Sequence, residues 1–347
     1  MFRFLKSKLP TIVTVADQGV VIEVARGKTL LEAALVQGFG FPHDCKVGTC
    51  GTCLYRLDGG KISELTSSAM GLTQEQFQAG YRLACQTLPK TDLTITLDTA
   101  LEPIHPLVQI GGRVASQIHL THDILELRVD LDEPIRFQPG QYAELLVDGV
   151  ATARSYSFAN PAHASNASVH FHVRLVPGGQ FTGWLFAASR VGQAVTVRGP
   201  YGQFGLKAEA SPIVCIAGGS GLAPIKCMLE GAAGEARRRP VTVLFGARTE
   251  RDIYGLDAFE ALRNSWEAEM TFTPILSAEP VESSWTGLRG LVTDYIQTIP
   301  DIDRAQAYLC GPPPMVDAAE SALLKAGLTP ERIFADRFFD KSQAAAF

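Results

Sequence analysis

His43-Asp44-Cys45-Lys46-Val47-Gly48-Thr49-Cys50-Gly51-Thr52-Cys53 holds three cysteines at C-x4-C-x2-C spacing, and Cys85 follows 32 positions after Cys53. This three-plus-one pattern matches plant-type ligation of a [2Fe–2S] centre, where a compact loop and a distant strand bring four thiolates to two irons. Gly48 and Gly51 allow the tight turns that aim backbone N–H groups at sulfur. A four-cysteine zinc site is the competing reading, but zinc modules usually bring their ligands as two close pairs. The expected metal ligands are therefore Cys45, Cys50, Cys53 and Cys85. The chain has seven cysteines, an odd number for a disulfide framework, and no apolar run of signal-peptide length. That combination fits thiols used as ligands in a reducing compartment.

The segments around this loop form a small mixed fold. TIVTVA (11–16) and VVIEV (20–24) read as strands around Asp17-Gln18-Gly19, a helix is expected over 29–37 ending at Gly38, a second short hairpin around Asp58-Gly59-Gly60, and a last strand LTITL. From about 107 to 205 the pattern turns to alternating strands bounded by Gly and Pro, as in an antiparallel barrel. His170 and His172 share a strand face there and read as surface or packed barrel residues rather than metal ligands. From about 211 onward strands alternate with helices, the rhythm of a parallel sheet. The expected domains are 1–101, 107–206 and 211–347.

With 347 residues the chain can bury two or three cores, and its net charge of −5 offers no basic face for nucleic acid. No stretch is long enough to span a bilayer. MFRFLKSKLP at the start reads as a frayed terminus, with a membrane-touching patch as the alternative.

Two further constellations point to nucleotide cofactors. Arg154-Ser155-Tyr156-Ser157 closes a strand of the second segment, and Pro177-Gly178-Gly179-Gln180-Phe181-Thr182 leads into a helix. Arg154 can meet a phosphate, Tyr156 can lie against a flavin ring and Ser157 can bond its polar edge. The Gly179–Thr182 run can offer N–H groups to a pyrophosphate. In the third segment, Ala217-Gly218-Gly219-Ser220-Gly221-Leu222-Ala223-Pro224 follows a strand and opens a helix. Pro224 stands where the dinucleotide fingerprint has its third glycine, so the loop is a variant of that motif. Cys310-Gly311-Pro312-Pro313-Pro314-Met315 ends another strand. A cysteine placed there is expected beside a nicotinamide, shaping hydride transfer rather than attacking, since no histidine base lies near in sequence. Arg248 and Arg251 could hold a 2′-phosphate and favour NADPH, but Glu250 and Asp252 lie beside them, and the residues alone leave the preference open.

Taken together, these motifs resemble the oxygenase reductases that join a chloroplast-type ferredoxin domain to a ferredoxin–NADP reductase-like module, the family that serves benzoate dioxygenase, soluble methane monooxygenase and xylene monooxygenase. FPHDCKVGTCGTC, FHVRLVPGG, YGQFGL, YLCGPPPMVDAAE and FADRF carry the likeness over nearly the whole chain. The resemblance implies a β-grasp ferredoxin domain, an antiparallel β-barrel for FAD and an α/β parallel-sheet domain for NAD. It implies NADH rather than NADPH. It further implies catalytic roles for Cys310, Ser157, Asp336 and Phe338, with Asp336 where many relatives have Glu. Implied cofactor contacts also include Val173, Gly178, Gly219, Ser220, Gly221, Arg248, Gly311, Pro312 and Met315. The expected product is single electrons for a terminal hydroxylase, a membrane-bound di-iron monooxygenase of xylene-type alkyl-aromatics, with a Rieske dioxygenase as the alternative. A monomer in the cytoplasm, reaching the inner membrane through its partner, is expected. A purely structural metal protein and a nucleophilic hydrolase fit these motifs poorly.

Overall fold

The computed structural model describes residues 9–43, 45–66, 71–102 and 104–339. The terminal patch at Met1–Lys8 and the segment after Phe339 lie outside them. Two compact units emerge, one of residues 1–108 with 200–203, the other of 109–199 with 204–347. Among the described residues no helix is long and apolar enough to cross a membrane.

In the first unit, β1 (Thr11–Val15) and β2 (Val20–Val24) form a hairpin closed at Gly19, whose φ of +66° suits glycine. Alternation turns Val13, Val15, Ile22 and Val24 inward. Helix α1 (Leu30–Val36) starts where the Thr29 hydroxyl accepts the Glu32 N–H at 3.1 Å, and buries Leu30, Leu31 and Leu35. There follow β3 (Leu54–Gly59), β4 (Ile62–Glu64), α2 (Gln74–Gln78), β5 (Tyr81–Leu83), β6 (Thr87–Pro89) and β7 (Leu93–Thr96). The sheet order is β2-β1-β7-β3-β5, with β1 and β7 parallel.

The hairpin expected around Asp58-Gly59-Gly60 does not form. Strand β3 pairs with β5 and β7, while β4 crosses to β6 in a separate ribbon. The glycines do turn the chain, but both edges of β3 are already taken by strands distant in sequence.

The second unit opens with β8 (Val108–His119), β9 (Ile124–Ile135), β10 (Tyr142–Leu146), β11 (Arg154–Ser157), β12 (Asn166–Arg174), α3 (Gln180–Ala187) and β13 (Ala194–Tyr201). These six strands make an antiparallel sheet ordered β11-β10-β13-β8-β9-β12. The sheet curls until an isolated bridge, Phe158 to Phe171, links its two ends. Phe158 is fully buried, stacked on Phe137 with centroids 3.9 Å apart and tilted against Phe171 at 5.5 Å. Phe158→Ala therefore removes the ring that seals the curl. It is expected to cost about 3–5 kcal/mol, read as a lowered denaturant midpoint with flavin release.

The chain continues through β14 (Ile213–Gly218), α4 (Leu222–Glu230), β15 (Val241–Ala247), α5 (Leu256–Ser265), β16 (Met270–Leu276), β17 (Leu288–Arg289), β18 (Gln306–Gly311), α6 (Pro313–Lys325) and β19 (Ile333–Arg337). The parallel sheet runs β17-β16-β15-β14-β18-β19. IVCIAG and QAYLCG are buried at every position, as strands covered on both faces must be. The order reverses between β14 and β18, which opens a crevice at their C-terminal ends.

Candidate functional site

The cysteine loop is built on left-handed turns at Lys46, Gly48 and Gly51, with φ of +59°, +87° and +77°. They bring the N–H groups of Thr49 and Cys50 each to 3.4 Å from Cys45 Sγ, and the Thr52 hydroxyl to 3.2 Å from Cys50 Sγ. Cys85, after β5, receives the Gln86 amide at 3.5 Å. The thiols meet as pairs. Cys45 is pushed down to about 4, chiefly by its hydrogen bond with Cys50, and Cys85 is lowered chiefly by Cys53. Cys50 and Cys53 are pushed up in return. Two thiol pairs, Cys45 with Cys50 and Cys53 with Cys85, with N–H donors aimed at sulfur, fit the two irons of a [2Fe–2S] cluster.

His43, two residues before Cys45, is 2% exposed, and burial pushes it down to about 4. Its neutral ring spans two backbone groups: Nδ1 donates to Phe41 O at 2.8 Å and Nε2 accepts the Gly202 N–H at 3.0 Å. Sequence reading gave this residue no role. Its partner lies 159 positions away, and no local pattern reports that.

On the curled sheet, Arg154 lies against its own loop, donating to the carbonyls of Thr152 and Ala153, both at 3.0 Å. Meeting a phosphate requires it to swing out. Ser155 is exposed, Ser157 is buried, and Tyr156 is tilted against Phe181 with centroids 5.4 Å apart. Phe181 is a core residue that backs Tyr156 rather than a surface contact, and the Val173 side chain is likewise buried in this core. Either can meet a cofactor only through its backbone. Thr182 Oγ1 takes the Val176 N–H at 3.2 Å and so ties the Gly178-Gly179-Gln180 turn to the start of α3. A Cβ on Gly179 would lie 2.6 Å from that same hydroxyl.

At the crevice, Gly219, Ser220 and Gly221 form one tight turn ahead of α4, and Pro224 sits in that helix's first turn, where its missing N–H costs nothing. A Cβ on Gly221 would lie 2.2 Å from Cys310 O, and one on Gly218 would lie 2.5 Å from Met315 Sδ. The glycines are there because β18 passes so close. Strand register sets Cys310 opposite Ala217 on one side and Asp336 on the other. Cys310 Sγ stands 4.0 Å from Asp336 Oδ2, and burial pushes the thiol well up. It is held neutral, as a shaping residue should be and a nucleophile should not. Phe338 N–H donates to Gly311 O at 2.9 Å, which anchors the end of β19. A cleft at these strand ends is lined by Gly218, Gly219, Pro312, Met315 and Arg248.

The structure adds a link that sequence reading missed. Tyr254 donates its hydroxyl to Gly219 O at 3.0 Å and stands 3.3 Å from His172 Nδ1. Glu126 reaches both barrel histidines, His170 at 3.5 Å and His172 at 3.7 Å. Its carboxyl is held below the usual range, first by His170 and then by His172. His172 is thus a packed barrel residue and His170 a half-buried one, and His172 braces the glycine turn through Tyr254. Tyr254→Phe deletes only the bridging hydroxyl. It is expected to lower kcat/KM for NADH about five- to tenfold, the worth of one buried hydrogen bond, measured by the rate of flavin bleaching.

Comparison with known proteins agrees with this layout. The 2Fe-2S iron-sulfur cluster binding domain matches residues 13–90, the oxidoreductase FAD-binding domain 112–205 and the oxidoreductase NAD-binding domain 215–321. The xylene/toluene monooxygenase electron transfer component of Pseudomonas putida is 50% identical over 95% of this chain and 94% of its own. The chain belongs to the iron–sulfur flavoprotein reductases. The reductase is also 36% identical to the phenol 2-monooxygenase reductase component of a Pseudomonas species, over 96% of each chain. Among solved structures, a ferredoxin reductase in carbazole 1,9a-dioxygenase covers 95% of this chain and 98% of its own at a TM-score of 0.74 and 28% identity. FAD, a [2Fe–2S] cluster and NAD(H) are the cofactors of this reductase.

Proposed function

We propose that this protein draws hydride from NADH and supplies single electrons to the hydroxylase component of an alkyl-aromatic monooxygenase, a membrane-bound di-iron enzyme. The observation that carries the reading is the strand register that sets Cys310 beside Asp336, with Gly221 packed against the Cys310 carbonyl, at the C-terminal ends of the parallel strands. FAD, when bound, supplies the conversion of a two-electron donor into single electrons, and the [2Fe–2S] cluster supplies their outlet.

The chain's own residues bind and orient. Gly219, Ser220 and Gly221 receive the dinucleotide, with Pro312 and Met315 walling the cleft and Cys310 setting the approach of the nicotinamide. Tyr156, Ser157, Arg154 and the Gly178–Thr182 turn hold the flavin, with Asp336 and Phe338 completing its site. Cys45, Cys50, Cys53 and Cys85 hold the cluster. The domain limits are 1–101, 107–206 and 211–347. The protein acts as a cytoplasmic monomer that meets its partner at the inner membrane. The 50% identity to a xylene/toluene monooxygenase component supports this partner over a Rieske dioxygenase.

An anaerobic titration of the holoprotein tests the donor and the path. Flavin and cluster bands should bleach together and be complete at about 1.5 equivalents of NADH, the three electrons that FAD and the cluster take, with a rhombic signal in electron paramagnetic resonance. Flavin bleaching without cluster reduction would refute the path. The partner is tested by adding the reductase to membranes holding a xylene-type hydroxylase. Toluene oxidation that depends on both is expected, and failure there beside success with a Rieske oxygenase would overturn the assignment.

A further inference from the structure

We propose that Asp123 makes this reductase reject NADPH, by holding the two arginines of the cofactor cleft in ion pairs. Both Arg174 and Arg248 line that cleft, and both reach the same oxygen: Asp123 Oδ2 lies 3.4 Å from Arg174 Nε and 2.8 Å from Arg248 Nη2. Asp252 Oδ1 takes the same Nη2 of Arg248. His122, Asp123 and Asp252 bring their ligand atoms within 4.8 Å of one another, a spacing that resembles a cation site. Arg248 Nη2 fills it, so the cluster is a socket for one guanidinium nitrogen.

NADPH differs from NADH by a 2′-phosphate carrying about −1.5 to −2 charges at neutral pH. Recognising it calls for a guanidinium fork with donors to give. Here the cleft's two cations face two carboxylates, Asp123 and Asp252, and the local charges cancel. The Asp123 side chain is 13% exposed and that of Asp252 9%, so neither is fully screened by water. A phosphate bonding Arg248 Nη2 would have to displace Asp123, and one bonding the rest of the fork would lie beside that carboxylate. That is occupancy and repulsion together, the two ways a site discriminates. The carboxylate is also held in place. Thr121 Oγ1 donates to Asp123 Oδ1 at 3.0 Å, and the Leu175 N–H donates to Asp123 O at 2.8 Å.

This inference rests on NADH being the donor, and the test separates the two. Rates of flavin bleaching with NADH and NADPH are measured on wild-type holoprotein, Asp123→Asn, Asp123→Ser and the double variant D123N/R248A. Inhibition by 2′,5′-ADP is measured beside that by 5′-AMP. Both single variants should raise kcat/KM for NADPH relative to NADH about tenfold or more, with tighter inhibition by 2′,5′-ADP, the worth of one charge pair. In D123N/R248A the gain should vanish, because the freed arginine is what receives the phosphate. An unchanged cofactor ratio and unchanged 2′,5′-ADP inhibition in both single variants would overturn the role of Asp123. Equal use of the two cofactors by the wild type would overturn the donor reading beneath it, before any variant is made.

Discussion

Cys53→Ser is expected to disconnect the two ends of the electron path. Cys53 is 3% exposed, and it pairs with Cys85, so a hydroxyl there leaves one iron without a thiolate and the neighbouring thiol without its partner. NADH should still bleach the flavin, since the residues proposed to meet the dinucleotide all lie in the second unit. Electron delivery to cytochrome c or to the oxygenase should fall by roughly 100-fold or more, a loss at least as large as removing groups that merely support a metal. The first unit should also lose stability, because cluster binding is part of the folding free energy of so small a fold. Iron content, the reduced-state resonance signal and calorimetry check the three parts. A variant that kept its cluster signal and its delivery rate would show that Cys53 is not a ligand.

Gly221→Ala should strike the opposite end of the path. The added methyl would stand 2.2 Å from Cys310 O, 2.6 Å from Cys310 C and 2.9 Å from Gly311 N, all backbone atoms in or beside a central strand. Nothing flexible can give way, so the turn itself must move. Overpacking of this kind costs about 1–3 kcal/mol, and a displacement near 1 Å at a site of transfer costs about 100-fold in rate. Stopped-flow mixing with NADH should show flavin reduction slowed by that order. The cluster of the same variant, reduced chemically by dithionite, should keep its ordinary signal. Unimpaired hydride uptake would mean that the turn does not set the nicotinamide's position.

Much of this protein was legible from spacing. The cysteine loop, the two glycine turns and the Cys-Gly-Pro-Pro run carry chemistry within a few consecutive residues, and chemistry that local is written in the order of the chain. The change from strand alternation to a βα rhythm was readable for the same reason, since burial on one face or two imposes its period directly. The hairpin at Asp58-Gly59-Gly60 failed because glycines announce a turn without saying which strand comes next to which. Here the pairing partners of β3 lie at Tyr81–Leu83 and Leu93–Thr96.

What tertiary structure decided is the set of contacts between residues far apart in the chain. His43 meets Gly202, Tyr254 joins His172 to Gly219, and Asp123 gathers Arg174 and Arg248, over separations of 159, 82 and 125 positions for the His43, His172–Tyr254 and Asp123–Arg248 pairs. No local motif reports these pairings, so the sequence read alone left Arg248 free to take either cofactor. The sequence by itself determined which cofactors the chain takes, a cluster, a flavin and a dinucleotide, because loop chemistry is a local property. Only the folded chain settled which charges are already spent, because a carboxylate neutralises whichever cation the topology brings beside it.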